Sequence, residues 1–113
     1  MLRDNDKKIK YPNQWITLGG RIEAGETPQQ ALKREMMEEL ELEVMEYTFF
    51  RYYNQPNHRE YIYYTKIDLD PKVAPLHEGQ KIAYFSREEI LKMDLAYCDN
   101  EVMRDYFNWR SSL

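Results

Sequence analysis

The strongest constraint on the fold of this chain is a helix start at Thr27. The Thr27 hydroxyl can cap the helix, Pro28 suits the first helical position, and Gln30 completes a capping box. Apolar residues then recur at helical spacing as far as about Leu40. Because the apolar side of such a helix must be buried, the pattern predicts one long helix packed on a core. That side carries Ala31, Leu32, Met36 and Leu40.

Short runs rich in aromatic and apolar residues predict strands around this helix. Residues 47–53 and 61–67 are typical of a hairpin. Ser86 with Glu89 forms a second capping box that opens a short helix, and Asp99 can cap a last helix. Together these elements predict an α/β fold, a sandwich of helices around a mixed sheet. Further extended runs are predicted at residues 15–18, which end at a glycine pair, and at 42–45 and 81–85.

The length and the charge balance exclude several classes of protein. The chain has 113 residues without a repeat or a Gly/Ser linker, which predicts one domain over residues 1–113. Its 16 basic and 20 acidic side chains give a net charge of -4, which argues against binding nucleic acid by neutralising phosphates. The single Cys98 can form neither an internal disulfide nor a cysteine-rich zinc site.

Targeting signals are missing from the sequence as given. No apolar run approaches the roughly 18 residues of a membrane span, so no membrane association is expected. Residues 1–8 are too highly charged for a signal peptide. We therefore expect a cytoplasmic protein.

Three carboxylates share one face of the predicted helix. Glu35, Glu38 and Glu39 stand at positions i, i+3 and i+4, so their like charges repel one another. Solvent, the neighbouring Arg34 or a hard divalent cation could compensate this repulsion. Taken alone, such a stripe is typical of a solvated helix face. Whether solvent, Arg34 or a cation compensates the charges must be judged from the surrounding sequence.

The carboxylates lie in a longer line, residues 20–42, that resembles the Nudix box of the MutT-like Nudix hydrolases. The pattern combines a glycine, a glutamate, an Arg-Glu-apolar-x-Glu-Glu segment and a final glycine and apolar residue at fixed spacings. Such a long gapped match is far more specific than an isolated glycine loop. One constrained position departs, because Glu41 stands where the family has glycine. The matching residues are Gly20, Glu26, Arg34, Glu35, Met36, Glu38, Glu39 and Leu42.

The resemblance implies a Nudix-type α/β/α sandwich and a metal-dependent hydrolase of a nucleoside diphosphate linked to another group. It implies Mg²⁺ or Mn²⁺ as cofactor, held by Glu35, Glu38 and Glu39. Glu35 would also orient or deprotonate the attacking water. Arg34 would hold the carboxylates in place through charge-assisted hydrogen bonds, and Glu26 would have a structural and electrostatic role.

Two further metal contacts follow from the same resemblance. In family members a backbone carbonyl just before the box can reach the metal, which here nominates Gly19. A glutamate from a later loop reaches it in some members, which nominates Glu78. His58 and His77 lack a metal-ligand spacing, so we expect them on the surface.

The segment that precedes the box is shorter in this sequence than is usual for the family. Nudix domains usually place one or two strands before the strand that leads into the box, yet few residues precede Trp15. We therefore expect a sheet that lacks an N-terminal strand. Since an exposed sheet edge tends to be covered by another chain, either a homodimer or poor solubility is also expected.

Four functions remain open at this point. A nucleoside triphosphate pyrophosphohydrolase is the leading hypothesis, and a nucleotide-sugar hydrolase is the alternative among enzymes. A catalytically silent Nudix-like domain that binds a nucleotide or a partner is the alternative from another class, favoured by Glu41 and the short front. An α/β domain with a merely solvated acidic helix would require the whole box to match by accident.

Overall fold

A computed structural model describes residues 1–113 and confirms the α/β class. None of its helices is long and apolar enough to cross a membrane. The elements in chain order are helix α1 (Pro28–Leu40), strands β1 (Thr48–Asn54) and β2 (Arg59–Tyr64), and helices α2 (Arg87–Leu91) and α3 (Asp99–Ser111).

The capping box of α1 forms as the sequence predicts. The backbone N–H of Gln30 donates to the Thr27 hydroxyl at 3.2 Å, and the Thr27 N–H donates to the Gln30 side chain at 2.9 Å. These bonds satisfy two amide groups near the helix start that have no intrahelical acceptor. The helix ends at Leu40 as predicted. Its buried residues are Ala31, Met36, Glu39 and Leu40, which adds a carboxylate to the predicted apolar side.

Strands β1 and β2 form an antiparallel hairpin, as predicted, with shifted ends. The register pairs Thr48 with Tyr64 and Asn54 with Arg59, and it slips between Phe49 and Arg51. Aromatic rings also pack between the two strands, with Phe49 and Tyr63 edge to face at 5.4 Å.

The other predicted strands do not form a regular ladder. Residues 15–18 and 81–85 contribute only single bridges, Leu2 to Trp15 and Leu2 to Lys81, both antiparallel, while Trp15 also bridges Leu95 in parallel. Residues 42–45 belong to no strand. Aromatic and branched residues favour extended backbone, but a ladder also needs partner residues in register over several positions. The sheet therefore consists of the antiparallel hairpin alone, and parallel pairing occurs only at the bridge between Trp15 and Leu95.

The chain divides into two compact units. The central unit, residues 19–70, contains α1 and the hairpin, and its buried apolar residues include Met36, Leu40 and Val44. The terminal unit comprises residues 1–18 and 71–113 and contains α2 and α3. The buried apolar residues of the terminal unit are Leu95, Ala96 and Val102.

The start of α3 differs from the prediction. Cys98 occupies the N-cap position, where its side chain makes no capping hydrogen bond, and Asp99 is the first helical residue. The Asp99 carboxylate instead accepts the backbone N–H of Thr17 at 2.9 Å and the Thr17 hydroxyl at 3.0 Å. Asp99 is therefore not the cap, because a partner distant in sequence binds its side chain. Helix α2, by contrast, begins with the predicted Ser86 and Glu89 capping box.

Candidate metal centre

Helix α1 places the three predicted metal ligands in different environments. Glu39 is buried, with 3% of its surface exposed, and the Glu35 side chain is 14% exposed. One carboxylate oxygen of Glu35 lies within 4.8 Å of one of Glu39. The Glu38 side chain is 60% exposed. The helical spacing thus brings two carboxylates close together in a shielded position and leaves the third at the solvent edge.

Arg34 links two of these carboxylates. Its Nη1 donates to Glu35 at 2.8 Å and to Glu38 at 3.2 Å. Because charge-assisted hydrogen bonds are short and directional, Arg34 restricts the positions of both side chains. It also offsets part of the repulsion between the acidic residues of the helix.

Glu26, from the loop before α1, fixes the Arg34 guanidinium in turn. Arg34 donates from Nε at 2.7 Å and from Nη2 at 2.9 Å to the two oxygens of Glu26, and Nη2 also donates to the Arg21 carbonyl at 2.8 Å. The Arg34 hydrogen bonds, followed by the Glu23 backbone N–H, lower the pKa of Glu26 from 4.5 to about 2. The Glu26 and Glu35 carboxylates raise the pKa of Arg34. Glu26 and Arg34 therefore form a charged ion pair at neutral pH.

Gly20 leaves the space that the Glu35 carboxylate fills. A Cβ atom built on Gly20 would lie 2.0 Å from Cδ of Glu35, which is far inside van der Waals contact. Gly20 matches the box, but its contact with Glu35 was not predicted from the sequence. The fixed glycine of the pattern was the available signal, since a required glycine often marks close approach of another group.

The donor set fits a hard divalent cation. Glu35 and Glu39 offer carboxylate oxygens, the ligand type that Mg²⁺ prefers, and a bound cation would balance two negative charges held within 4.8 Å. Glu38 stands one helical turn from Glu35 on the exposed side. Because Gly20 has no side chain, the Glu35 carboxylate can lie directly against its backbone.

The other two predicted metal contacts, Gly19 and Glu78, lie in different units of the chain. Gly19 lies in the central unit immediately before Gly20, and Glu78 lies exposed in a loop of the terminal unit. Their metal contacts stay predictions. His58 and His77 are both exposed, and the His58 ring lies 3.2 Å from the Glu60 carboxylate.

Comparison with known proteins gives the family. A family model described as the NUDIX domain matches residues 1–106. The nucleoside triphosphatase NudI of Enterobacter sp. (strain 638) is 32% identical to this chain over 117 aligned positions, covering 91% of this chain and 80% of the relative. No solved structure gives a significant match. Since the family model covers nearly the whole sequence, and the box residues assemble around one carboxylate and arginine network, the chain belongs to the Nudix family of hydrolases.

Proposed function

We propose that this protein hydrolyses a nucleoside triphosphate to a nucleoside monophosphate and pyrophosphate, with Mg²⁺ or Mn²⁺ as cofactor. The observation that carries the proposal is the pair of shielded carboxylates, Glu35 and Glu39, held within 4.8 Å beside the Arg34 network. Two such carboxylates are costly to keep close together unless a cation binds between them. The relative named as a nucleoside triphosphatase supports this choice of substrate class.

The reaction places water against a phosphorus atom that is surrounded by negative oxygens. A divalent cation, when bound, would neutralise charge on those oxygens and would make water easier to deprotonate. Glu35, Glu38 and Glu39 would hold it, together with the Gly19 carbonyl. Glu35 would also orient the attacking water or accept its proton, and Arg34 keeps the Glu35 carboxylate fixed while this happens.

The first experiment separates by chromatography the products formed from nucleoside triphosphates, nucleotide sugars and dinucleoside polyphosphates. A nucleoside monophosphate would appear with pyrophosphate, with a sugar phosphate or with a second nucleotide, respectively. Each substrate is incubated with Mg²⁺, Mn²⁺ or EDTA. The native chain is compared with Glu39→Gln, which removes a buried carboxylate, and with Glu43→Gln, the same change at an exposed position just beyond α1. We expect metal-dependent turnover of a triphosphate, lost in Glu39→Gln by about 100-fold or more and kept in Glu43→Gln.

Other outcomes separate the alternatives. Turnover of a nucleotide sugar alone would mean that the substrate is a nucleotide sugar and not a nucleoside triphosphate, while the reaction would still be hydrolysis of a diphosphate. Absence of turnover, with a melting temperature that rises on adding nucleotide, would identify a silent binding domain. Equal activity of Glu39→Gln and the native chain would contradict the proposed metal centre.

Gly20→Ala tests whether the position of the Glu35 carboxylate matters, without removing any charged group. The added methyl would occupy the space of the Glu35 carboxylate, so that carboxylate must move. Displacement by about 1 Å can lower turnover about 100-fold. A lower kcat with an unchanged melting temperature is expected, whereas unchanged kcat would mean that the Glu35 position is unimportant for the reaction.

A further inference from the structure

Two tyrosines of the terminal unit form an exposed aromatic pair. The Tyr11 and Tyr97 rings lie 4.6 Å apart between centroids and are tilted by 50°. Tyr11 remains 42% exposed and Tyr97 39% exposed. A pair of rings inside a core would be explained by the apolar surface that it buries. This pair keeps much of its surface in water, so core packing accounts for only part of the arrangement.

Both tyrosines have a backbone conformation that side chains with a Cβ rarely adopt. The φ angle is 52° at Tyr11 and 55° at Tyr97, in the left-handed region. Strain of this kind persists where surrounding contacts enforce it, and it is concentrated at binding sites. Here, two strained residues from loops at opposite ends of the sequence place their rings against each other.

Arg3 connects the two loops. Its Nε donates to the Lys10 carbonyl at 3.0 Å and to the Tyr11 carbonyl at 3.3 Å. The same guanidinium lies over the Tyr97 ring, with Cζ 5.3 Å from the centroid. A fixed positive charge therefore stands beside the aromatic pair.

Hydrogen bonds of Asn13 and Gln80 also stabilise the loop that carries Tyr11. The Asn13 N–H donates to the Asp4 carbonyl at 3.0 Å, and the Gln80 side-chain amide donates to the Asn13 side chain at 3.0 Å and to the Arg3 carbonyl at 2.7 Å. The position of Tyr11 is thereby set before any ligand binds. Preorganisation of this kind lowers the entropic cost of binding.

The loop that carries Tyr11 has an excess of positive charge. Lys7, Lys8 and Lys10 are all exposed, and Arg3 adds a fourth cation, whereas the loop has only two carboxylates, Asp4 and Asp6. One oxygen of Asp6 is engaged by the Lys8 backbone N–H at 2.9 Å. A ligand that suits this surface combines a flat ring with negative charge.

We propose that Tyr11 and Tyr97 form a stacking site for the base of a nucleotide, with Arg3 and the neighbouring lysines attracting its phosphate. The choice of a nucleotide among aromatic anions rests on the proposed function. The binding itself requires neither the metal centre nor hydrolysis, because every residue named belongs to the terminal unit.

The experiment is an NMR titration of the full chain with AMP in the presence of EDTA, so that no hydrolysis occurs. Ribose 5-phosphate serves as the probe that lacks a base, and a poly-glutamate peptide as the probe that carries charge alone. Tyr97→Gly and Tyr11→Gly remove each ring, and glycine adopts positive φ without strain, so the backbone is preserved. Tyr97→Phe keeps the ring. Tyr52→Ala is the matched control, since Tyr52 is 50% exposed and also lies under an arginine, Arg59.

We expect AMP to shift the ring signals of Tyr11 and Tyr97 and to bind about tenfold more weakly to either glycine variant. Tyr97→Phe and Tyr52→Ala should bind as the native chain does. The proposal is overturned if AMP leaves both rings unaffected, if ribose 5-phosphate or poly-glutamate binds as tightly as AMP, or if Tyr52→Ala weakens binding equally. A failed hydrolysis assay with intact AMP binding would overturn the proposed function and leave this site standing.

Discussion

Arg34 is the residue on which the order of the candidate site depends. Its guanidinium binds Glu26 through two nitrogens and reaches Glu35 and Glu38 through a third. Lysine could not reproduce this arrangement, because it carries one compact charge in place of a planar fork. The network thus connects the loop before α1 to the proposed metal ligands through a single side chain.

Acid should weaken this network through Glu26. The pKa of Glu26 in the folded chain, about 2, lies below its ordinary value of 4.5, so its contribution to stability is present above 4.5 and is lost as the pH falls towards 2. Glu26→Gln should therefore be less stable than the native chain at neutral pH, with the difference shrinking across that window. Urea unfolding at several pH values measures it. Glu23→Gln, at a side chain that is 65% exposed, should retain the native acid response; an identical response in Glu26→Gln would contradict the assignment.

At the scale of elements, the end of α1 shows the effect of the one box position that departs from the family. Glu41 has φ 52° and ψ 36°, the left-handed conformation expected for the missing glycine. The N–H groups of Glu41 and Leu42 donate to the carbonyls of Met37 and Met36 at 3.0 and 3.2 Å. The helix therefore terminates correctly, at the cost of strain in a residue with a Cβ.

Glu41→Gly should relieve that strain. Because glycine adopts the left-handed conformation freely, we expect the free energy of unfolding to rise by about 1 kcal/mol. Chemical denaturation measures the change. Glu43→Gly is the control, since Glu43 is outside the positive-φ residues and glycine there should stabilise nothing. A gain in both variants, or in neither, would refute the strain at Glu41.

At the scale of the whole molecule, Asp99 joins parts of the terminal unit that are 82 residues apart. One carboxylate oxygen accepts both hydrogen bonds from Thr17. The adjacent Ala96 N–H donates to the Trp15 carbonyl at 2.9 Å, and the Asn100 side chain binds the backbone of Met93 and Leu95. The start of α3 and the segment before the box are therefore held as one packed structure.

A double-mutant cycle measures this link. Asp99→Ala removes both acceptor interactions and Thr17→Val removes the hydroxyl donor, so their effects on the free energy of unfolding should be coupled by about 1 kcal/mol. Glu101→Ala, at an exposed position of α3, should show no coupling to Thr17→Val. Additive effects of Asp99→Ala and Thr17→Val would mean that the partly buried hydrogen bond between the two side chains contributes little to stability.

Features that depend on neighbours along the chain could be predicted from the sequence. The capping boxes at Thr27 and Ser86, the end of α1 at Leu40 and the hairpin are set by hydrogen bonds and side-chain periods over a few residues. The spacing of the box residues likewise carried the resemblance to the family, and it places Glu35 and Glu39 on one face of α1.

Contacts between groups that are distant in the sequence could not be predicted in this way, because they depend on the folded arrangement of the whole unit. Asp99 has the residue type of a helix cap, but Thr17 binds its carboxylate. The approach of Gly20 to Glu35 and the pairing of Tyr11 with Tyr97 also join residues that no local pattern connects. The extended runs near Trp15 and Lys81 remain single bridges for the same reason. A local propensity favours a backbone shape, whereas contacts and ladders depend on which partners the folded chain brings within hydrogen-bonding distance.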